Sequence, residues 1–303
     1  MKTSIVLSSY NGEKYIIEQL HSLMIQTLVP DEVIIVDDCS TDSTVDICNS
    51  FIEEHKLDNW KVIANTANKG WAENFSDAFL IASGDIIFPC DQDDIWLSDK
   101  LEKMTAVMES HPEIGLLIGN YQKWIFNEHE NRIIDCSSSG TVTKLPFNEK
   151  VIYVDYPGCV YCFRKSFYET ILPYRFKDYP HDAFLIRMAK TADACYLYDI
   201  PVIKWRRHSA NTTGKPVRTN SEMAKRTDYY IDCLNKMKDY CNDFNQSSYL
   251  KMIDENIDFY TIRGSAFRNK RIVGKNSLFS CLRYLRFYPR ARSILGDVWR
   301  LIH

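Results

Sequence analysis

No stretch of the 303-residue chain reaches the ~20 consecutive apolar residues that span a bilayer, so no membrane-crossing helix is expected. The start, where Lys2 precedes a strand-like run broken by Tyr10-Asn11-Gly12-Glu13, reads as neither a signal peptide nor an anchor. Only one CxxC occurs, Cys159–Cys162, with no second pair and no histidines at finger spacing, which argues against a structural zinc site. That pair reads as packing rather than redox chemistry. Others of the 10 cysteines (Cys48, Cys90, Cys195) sit in apolar stretches, where a free thiol behaves as a small buried hydrophobe. A reducing cytoplasm is the expected compartment. Internal repeats and low-complexity segments are lacking, and a net charge of −3 exerts no global pull toward nucleic acid.

What is present is an ordinary globular composition, 45 % hydrophobic and 25 % charged, long enough to bury a core without staples. The length suits two domains, or one large α/β domain with an appendage. Charge is unevenly placed: from Arg263 onward there are ten Lys/Arg against one acid, Asp297, and the body before it is acidic. A basic tail on an acidic body suggests a separate anionic partner for the tail.

Short β-branched runs alternate with helical periodicity over the first hundred residues. Ser4–Ser8, Val33–Val36, Trp60–Ala64 and Ile86–Pro89 read as buried strands; helices follow each of the first three, over Tyr15–Met24, Val45–Ile52 and Phe75–Ile81. That alternation predicts a parallel sheet flanked by helices, with ligands beyond the strands' carboxyl ends. Three such ends carry polar clusters: Ser8–Tyr10, Asp37–Asp38 and Asp91–Asp94. Residues 115–215 read as mixed strands and loops, and the chain from about 219 as helical, with Thr212–Pro216 as the linker.

The sharpest motif is Cys90-Asp91-Gln92-Asp93-Asp94-Ile95-Trp96. Three carboxylates in four residues repel one another unless a cation relieves them, and hard oxygen ligands suit Mg²⁺ or Mn²⁺. The alternative is a solvated acidic loop or a helix cap.

Ser4-Ile5-Val6-Leu7-Ser8-Ser9-Tyr10-Asn11, Val36-Asp37-Asp38-Cys39-Ser40-Thr41-Asp42 and Cys90-Asp91-Gln92-Asp93-Asp94 resemble, in order and spacing, the motifs of family 2 glycosyltransferases. The resemblance covers about residues 1–215. Asp-Gln-Asp-Asp-Ile-Trp is most similar to the bacterial rhamnosyltransferase-like group of surface-polysaccharide synthesis, of O-antigen or capsule. It implies a GT-A fold over 1–215 (nucleotide half about 1–97, acceptor half about 98–215), a helical extension over 216–303, and inverting transfer from a nucleotide-sugar.

It also implies roles. Asp38 matches the acid that accepts a hydrogen bond from a pyrimidine base, Tyr10 the aromatic beside that base, and Ser8 lies on the same strand end; a turn aromatic and a helix-capping acid are the plainer alternatives. Glu13, Gln92 and Lys69 join the nucleotide-sugar set, although Glu13 could simply begin a helix and Lys69 sit in a solvated loop. Asp93 matches the main metal ligand, Asp91 its partner at the metal or ribose, and His208 completes the shell, with Arg206 or Arg207 on the diphosphate; a surface histidine in a basic loop is the alternative. Asp182, in Tyr179-Pro180-His181-Asp182, matches the general base that deprotonates the acceptor hydroxyl, against the alternative of a helix cap.

In the tail, Leu278, Leu282 and Leu285 recur at helical spacing among Arg283, Arg286, Arg290 and Arg292, with Trp299 near the end. An amphipathic, arginine-rich helix suits an anionic membrane surface, or packs on the catalytic domain with its arginines in water. The function implied is metal-dependent, inverting transfer of a sugar, L-rhamnose from dTDP-rhamnose or a hexose from UDP, to a polysaccharide or lipid-linked oligosaccharide, by a cytoplasmic enzyme peripheral to the membrane. The rivals are a nucleotidyltransferase, whose Gly-rich basic loop is not found at Ser8–Glu13, and a silent, membrane-tethered assembly subunit.

Overall fold

The computed structural model describes residues 1–126, 130–208, 219–270 and 278–302. The linker candidate Thr212–Pro216 lies outside these, as does the Leu282 side chain. Two compact units emerge: Met1–Leu145 with Asp155–Asn211, and Pro146–Val154 with Thr212–His303.

The first unit is an α/β layer structure. Its elements in order are β1 (Thr3–Ser9), α1 (Ile16–Met24), β2 (Glu32–Asp37), α2 (Thr44–His55), β3 (Trp60–Ala64), α3 (Trp71–Ile81), β4 (Ile86–Asp91), β5 (Ile95–Trp96), α4 (Lys100–Ser110), β6 (Leu116–Phe126), β7 (Asn131–Ile134), β8 (Val142–Lys144), β9 (Tyr161–Arg164), α5 (Lys165–Ile171), α6 (His181–Thr191) and β10 (Cys195–Arg207). The sheet runs β3-β2-β1-β4-β9-β6-β10-β5, with β7 added to β6 and β8 to β10. Pairing is parallel through β3-β2-β1-β4 and again between β6 and β10, whereas β9 and β5 run antiparallel to their neighbours.

Ile5, Val6 and Leu7 in β1 and Val33, Ile34 and Ile35 in β2 have no exposed surface, because helices cover both faces of the sheet; this is why those strands read as continuous apolar runs. Pro89 cannot donate to a ladder, and it sits beyond Ile87, the last residue of β4 that pairs with β9.

The second unit is built from α7 (Asn220–Asp243), α8 (Leu250–Asn269), a 3₁₀ segment over Leu278–Phe287 and α9 (Ala291–Ile302). A capping box starts α7: the Thr219 hydroxyl accepts from Glu222 N, and the Glu222 carboxylate accepts from Thr219 N. The Tyr260 hydroxyl donates to Tyr153 Oη at 2.9 Å, and Tyr153 donates to the Phe287 carbonyl at 3.2 Å, which fastens the 146–154 segment to α8 and the 3₁₀ segment.

The continuous amphipathic helix expected from Leu278 onward is corrected. It breaks at Pro289, whose ring and missing N–H end the 3₁₀ segment before α9 begins. Much of its apolar surface also turns inward: Leu278 of the stripe and the adjoining Cys281 and Tyr288 are buried, while Leu285 and, further on, Trp299 are exposed. Among the described residues no helix is long and apolar enough to cross a membrane.

Candidate active site

From β1 the chain passes to β2 and β3 on one side and later to β4 on the other, so strand order reverses at β1 and a crevice opens beyond the carboxyl ends of β1 and β4. Register places Ser8 beside Val36 on one flank and Asp91 on the other.

The β2 end is a closed hydrogen-bond lock. Asp37 is 1 % exposed; its carboxylate accepts from Ser9 Oγ at 2.8 Å and from Ser40 N at 2.7 Å. Asp38 is equally buried and gathers the next loop: Oδ1 accepts from Lys69 N at 2.8 Å and Asn65 Nδ2 at 3.1 Å, and Oδ2 from Gly70 N at 2.8 Å. Asn74, at 0 % exposure, donates to Ser8 Oγ and the Val36 carbonyl and accepts from Asn65. Ser8 is therefore fixed from α3. Glu13 accepts from Ser43 N while its own N–H donates to Asp42, a reciprocal tie that opens α2. The Lys69 ammonium reaches Asp77 at 2.7 Å, an exposed pair of the kind worth ~0–1 kcal/mol.

The β4 end is built differently. Gln92 turns from the carboxylates and clamps the backbone of Tyr10, accepting from Tyr10 N at 2.8 Å and donating to its carbonyl at 3.0 Å. A Cβ at Gly12 would stand 2.2 Å from Gln92 Oε1, so only glycine permits this clamp. The Tyr10 ring remains 47 % exposed above it.

Asp91, Asp94 and Cys159 bring one ligand atom each to within 4.8 Å of one another. Asp94 Oδ1 accepts from Arg206 N at 2.9 Å, but Oδ2 is buried without an N–H or O–H donor. Burial first, then the charges of Asp93 and Asp182, push Asp91 up to about 7. Burial and then Asp93 and Asp91 push Asp94 well up, with the neighbouring Cys159 thiol only partly offsetting this. Two crowded carboxyls held up in this way are sites that positive charge stabilises.

Asp93 Oδ2 lies 2.8 Å from His208 Nε2, and the His208 ring packs on Tyr15 at 4.5 Å. The metal residues read from sequence thus fall into two groups: Asp93 meets His208, while Asp91 joins Asp94 and Cys159. Carboxylates with an imidazole fit a divalent cation, and the orphaned Asp94 oxygen is a further hard donor; the thiol is the soft member and suits Mn²⁺ or Mg²⁺ least.

Lys100 is buried beneath this cluster, donating to the Cys159 carbonyl at 2.6 Å with its ammonium 3.4 Å from the Trp96 ring centroid. Burial pulls it down to about 8.

Asp182 stands in the first turn of α6, where Oδ1 accepts from Ala183 N at 2.7 Å; the cap position itself is Pro180. A Cβ at Gly158 would come within 3.1 Å of Asp182 Cβ and 2.6 Å of His181 Nε2, so glycine lets the two segments meet. His181 is buried against Phe75, Phe79 and Trp71, neither ring nitrogen has a partner, and burial holds it down to about 4.

Arg206 is not a diphosphate ligand. It is 1 % exposed, paired with Glu18 and stacked by Trp124 at 4.3 Å and Tyr15 at 4.9 Å. Adjacent residues of a strand face opposite ways, and Arg207, partly exposed against Trp205, is the one that faces outward. The sequence argument did not single out Asp94 as a ligand, nor Lys100 or Asn74. Asp94 was present only as one of the three clustered carboxylates, and Lys100 and Asn74 stand among polar neighbours in the sequence, so their burial left no local signal.

Residues 4–172 match the sequence profile described as glycosyl transferase family 2. The chain belongs to that family. It is 27 % identical over 259 residues to an uncharacterized glycosyltransferase of Nostoc sp., covering 80 % of this chain and 76 % of that one. It is 30 % identical over 234 residues to the dTDP-rhamnosyl transferase RfbG of Shigella flexneri, covering 69 % and 73 %. S. aureus TarS in complex with UDP-GlcNAc superposes with TM-score 0.62 at 18 % identity over 100 % of this chain and 89 % of that one. The mannosyltransferase PcManGT of Pyrobaculum calidifontis, with GDP-Man and Mn²⁺, gives 0.54 at 15 % over 99 % and 85 %. At these identities the structures establish the GT-A fold, and the family establishes a glycosyltransferase.

Proposed function

We propose that this glycosyltransferase moves a sugar from a nucleoside-diphosphate donor to a hydroxyl of a polysaccharide or lipid-linked oligosaccharide, in one displacement with inversion. The observation that carries this reading is the meeting of Asp182 with Gly158, whose neighbour Cys159 stands among the β4 carboxylates, so that the charge of Asp182 also bears on Asp91. Base and leaving-group sites then serve a single reaction centre.

On the donor side the Tyr10 ring offers its face to the base. Asp38 accepts three hydrogen bonds of the roughly four its carboxylate can take, leaving one acceptor position on Oδ2 for a base N–H. Lys69 and Arg207 supply charge for the diphosphate, the lysine by leaving its weak partner Asp77. Asp91, Asp93 and His208, with Asp94 behind them, would hold Mn²⁺ or Mg²⁺. Such an ion supplies positive charge where the departing diphosphate gathers negative charge. Asp182 takes the acceptor proton as the hydroxyl oxygen bonds to the anomeric carbon and the bond from that carbon to the diphosphate oxygen breaks.

The RfbG relative supports dTDP-L-rhamnose as donor, and the fold shared with TarS supports a UDP-hexose. The enzyme is read as cytoplasmic, seated at the inner face of the membrane by its basic C-terminal region.

The test is turnover. The full chain incubated with Mn²⁺, an acceptor glycan and either donor should release UDP or dTDP. Asp182→Asn should lower kcat by ~10²–10⁴-fold with nucleotide affinity kept. Unchanged kcat would remove Asp182 from the reaction. Tight nucleotide binding without turnover toward any acceptor would favour a silent assembly subunit.

A further inference from the structure

We infer that one face of α9, carrying Arg292, Leu295 and Trp299, is a docking surface for an anionic lipid bilayer. This deepens the reading of the basic region as a membrane contact and is independent of the sugar chemistry.

The argument starts from how α9 is fixed. Asp297 is 1 % exposed and takes both arms of Arg263, at 2.7 and 2.9 Å. Leu301, together with Met223, Ala224, Ala266, Phe267 and Leu278, forms a buried cluster against which Val298 packs. Asp297, Val298 and Leu301 share one arc of the helix, so its inward side is settled by an ion pair and a core. The opposite arc holds Arg292, Leu295 and Trp299, at i, i+3 and i+7, and cannot turn in without breaking both.

On that outward arc Leu295 is 70 % and Trp299 62 % exposed, the most exposed large hydrophobics among the described residues of the second unit. The stripe that opened the membrane reading begins at Leu278, which is core along with its neighbours Cys281 and Tyr288; the outward pair on α9 is a different face.

Charge selects the occupant. From Leu278 to Ile302 the only acid is Asp297, and Arg263 neutralises it inside the unit. Arg290, just before α9, and Arg292, in its first turn, are exposed, whereas on the preceding 3₁₀ segment Arg286 is paired with Glu255 of α8. An outward tryptophan and leucine on α9, with Arg290 and Arg292 exposed beside them in the chain, match the headgroup layer of an anionic bilayer.

The experiment is co-sedimentation of the full chain with vesicles of phosphatidylcholine alone and of an equal mixture with phosphatidylglycerol. Binding to the mixed vesicles that weakens with salt is expected, with little binding to phosphatidylcholine. Leu295→Ser with Trp299→Ser should lower partitioning by about tenfold or more, and Arg292→Glu by at least about fivefold. Both variants alter exposed side chains, so UDP or dTDP binding should be unchanged and report intact folding. Failure of the wild type to bind mixed vesicles, or binding that survives both variants, would overturn the surface while leaving sugar transfer standing. A concentration-dependent dimer abolished by the double variant would also overturn it, assigning the face to a second copy of the chain.

Discussion

The β2 and β4 strand ends carry the same residue type at equivalent places in the sheet, yet they are in opposite electrostatic condition. At β2, Asp37 and Asp38 are deeply buried and each carboxylate is matched by serine, asparagine or backbone donors. At β4, Asp91 and Asp94 are crowded by each other and by Asp93, and one oxygen of Asp94 has no N–H or O–H donor at all. Burial alone does not distinguish them, since Asp38 and Asp94 are nearly equally enclosed. Donors do. The first end is balanced by protein donors and shapes a loop, with one acceptor position of Asp38 to spare; the second calls for added positive charge, which is where the proposal seats a cation and a diphosphate.

That contrast can be broken from either side. Asp38→Ala should be the most damaging to stability, because Lys69 N and one arm of Asn65 lose their acceptor and Gly70 N keeps only Asn68 Oδ1, at about 1–3 kcal/mol for each donor shielded from water. Thermal unfolding should show a large fall in Tm that Mn²⁺ does not restore.

His181 supplies the next effect. Its imidazole is held down to about 4 by burial, below the 6.5 of an unfolded chain, so the unfolded state takes up the proton first. Stability from this group is present above pH 6.5 and lost as pH falls toward 4, by about 3 kcal/mol. Urea titrations across that window should show the loss in the wild type and a flatter profile in His181→Phe, whose ring keeps the packing on Phe75 without a proton to bind.

Asp94→Asn should have the smallest effect on stability and the opposite sign from Asp38→Ala. Removing a carboxyl whose charge burial and then Asp93 disfavour should raise the metal-free Tm. The same change should weaken Mn²⁺ binding. If Asp94→Asn instead destabilised the metal-free protein as Asp38→Ala does, the two ends would not differ in kind.

How much of this was legible in the sequence depends on the range of the interactions. Strands that the helices cover on both faces announce themselves as apolar runs: Trp60–Ala64 was read to the residue, and β1, β2 and β4 to within two at either end. Asp182 was picked out only by the resemblance of Tyr179-Pro180-His181-Asp182 to a family motif, since an acid in the first turn of a helix carries no further signal of its own. The tail was legible only as two alternatives, because the helical spacing of Leu278, Leu282 and Leu285 fits a core as well as a membrane, and that spacing runs on unbroken where Pro289 ends the segment. Arg206 and Arg207 are indistinguishable by type, and only the pleat of β10 sends one inward. The turning away of Gln92 toward Tyr10 and the lodging of Cys159 between Asp91 and Asp94 join residues separated by 82 positions or more than 60, which no local pattern encodes.

The central claim, that the β4 carboxylates await a cation and a nucleotide diphosphate, is tested most directly by calorimetry. UDP and dTDP are titrated into the full chain with Mn²⁺ and with EDTA, and again into Asp93→Ala. The account predicts binding that requires the metal, prefers one base and is lost or greatly weakened in Asp93→Ala. Equal affinity in Mn²⁺ and EDTA, unaffected by Asp93→Ala, would contradict it.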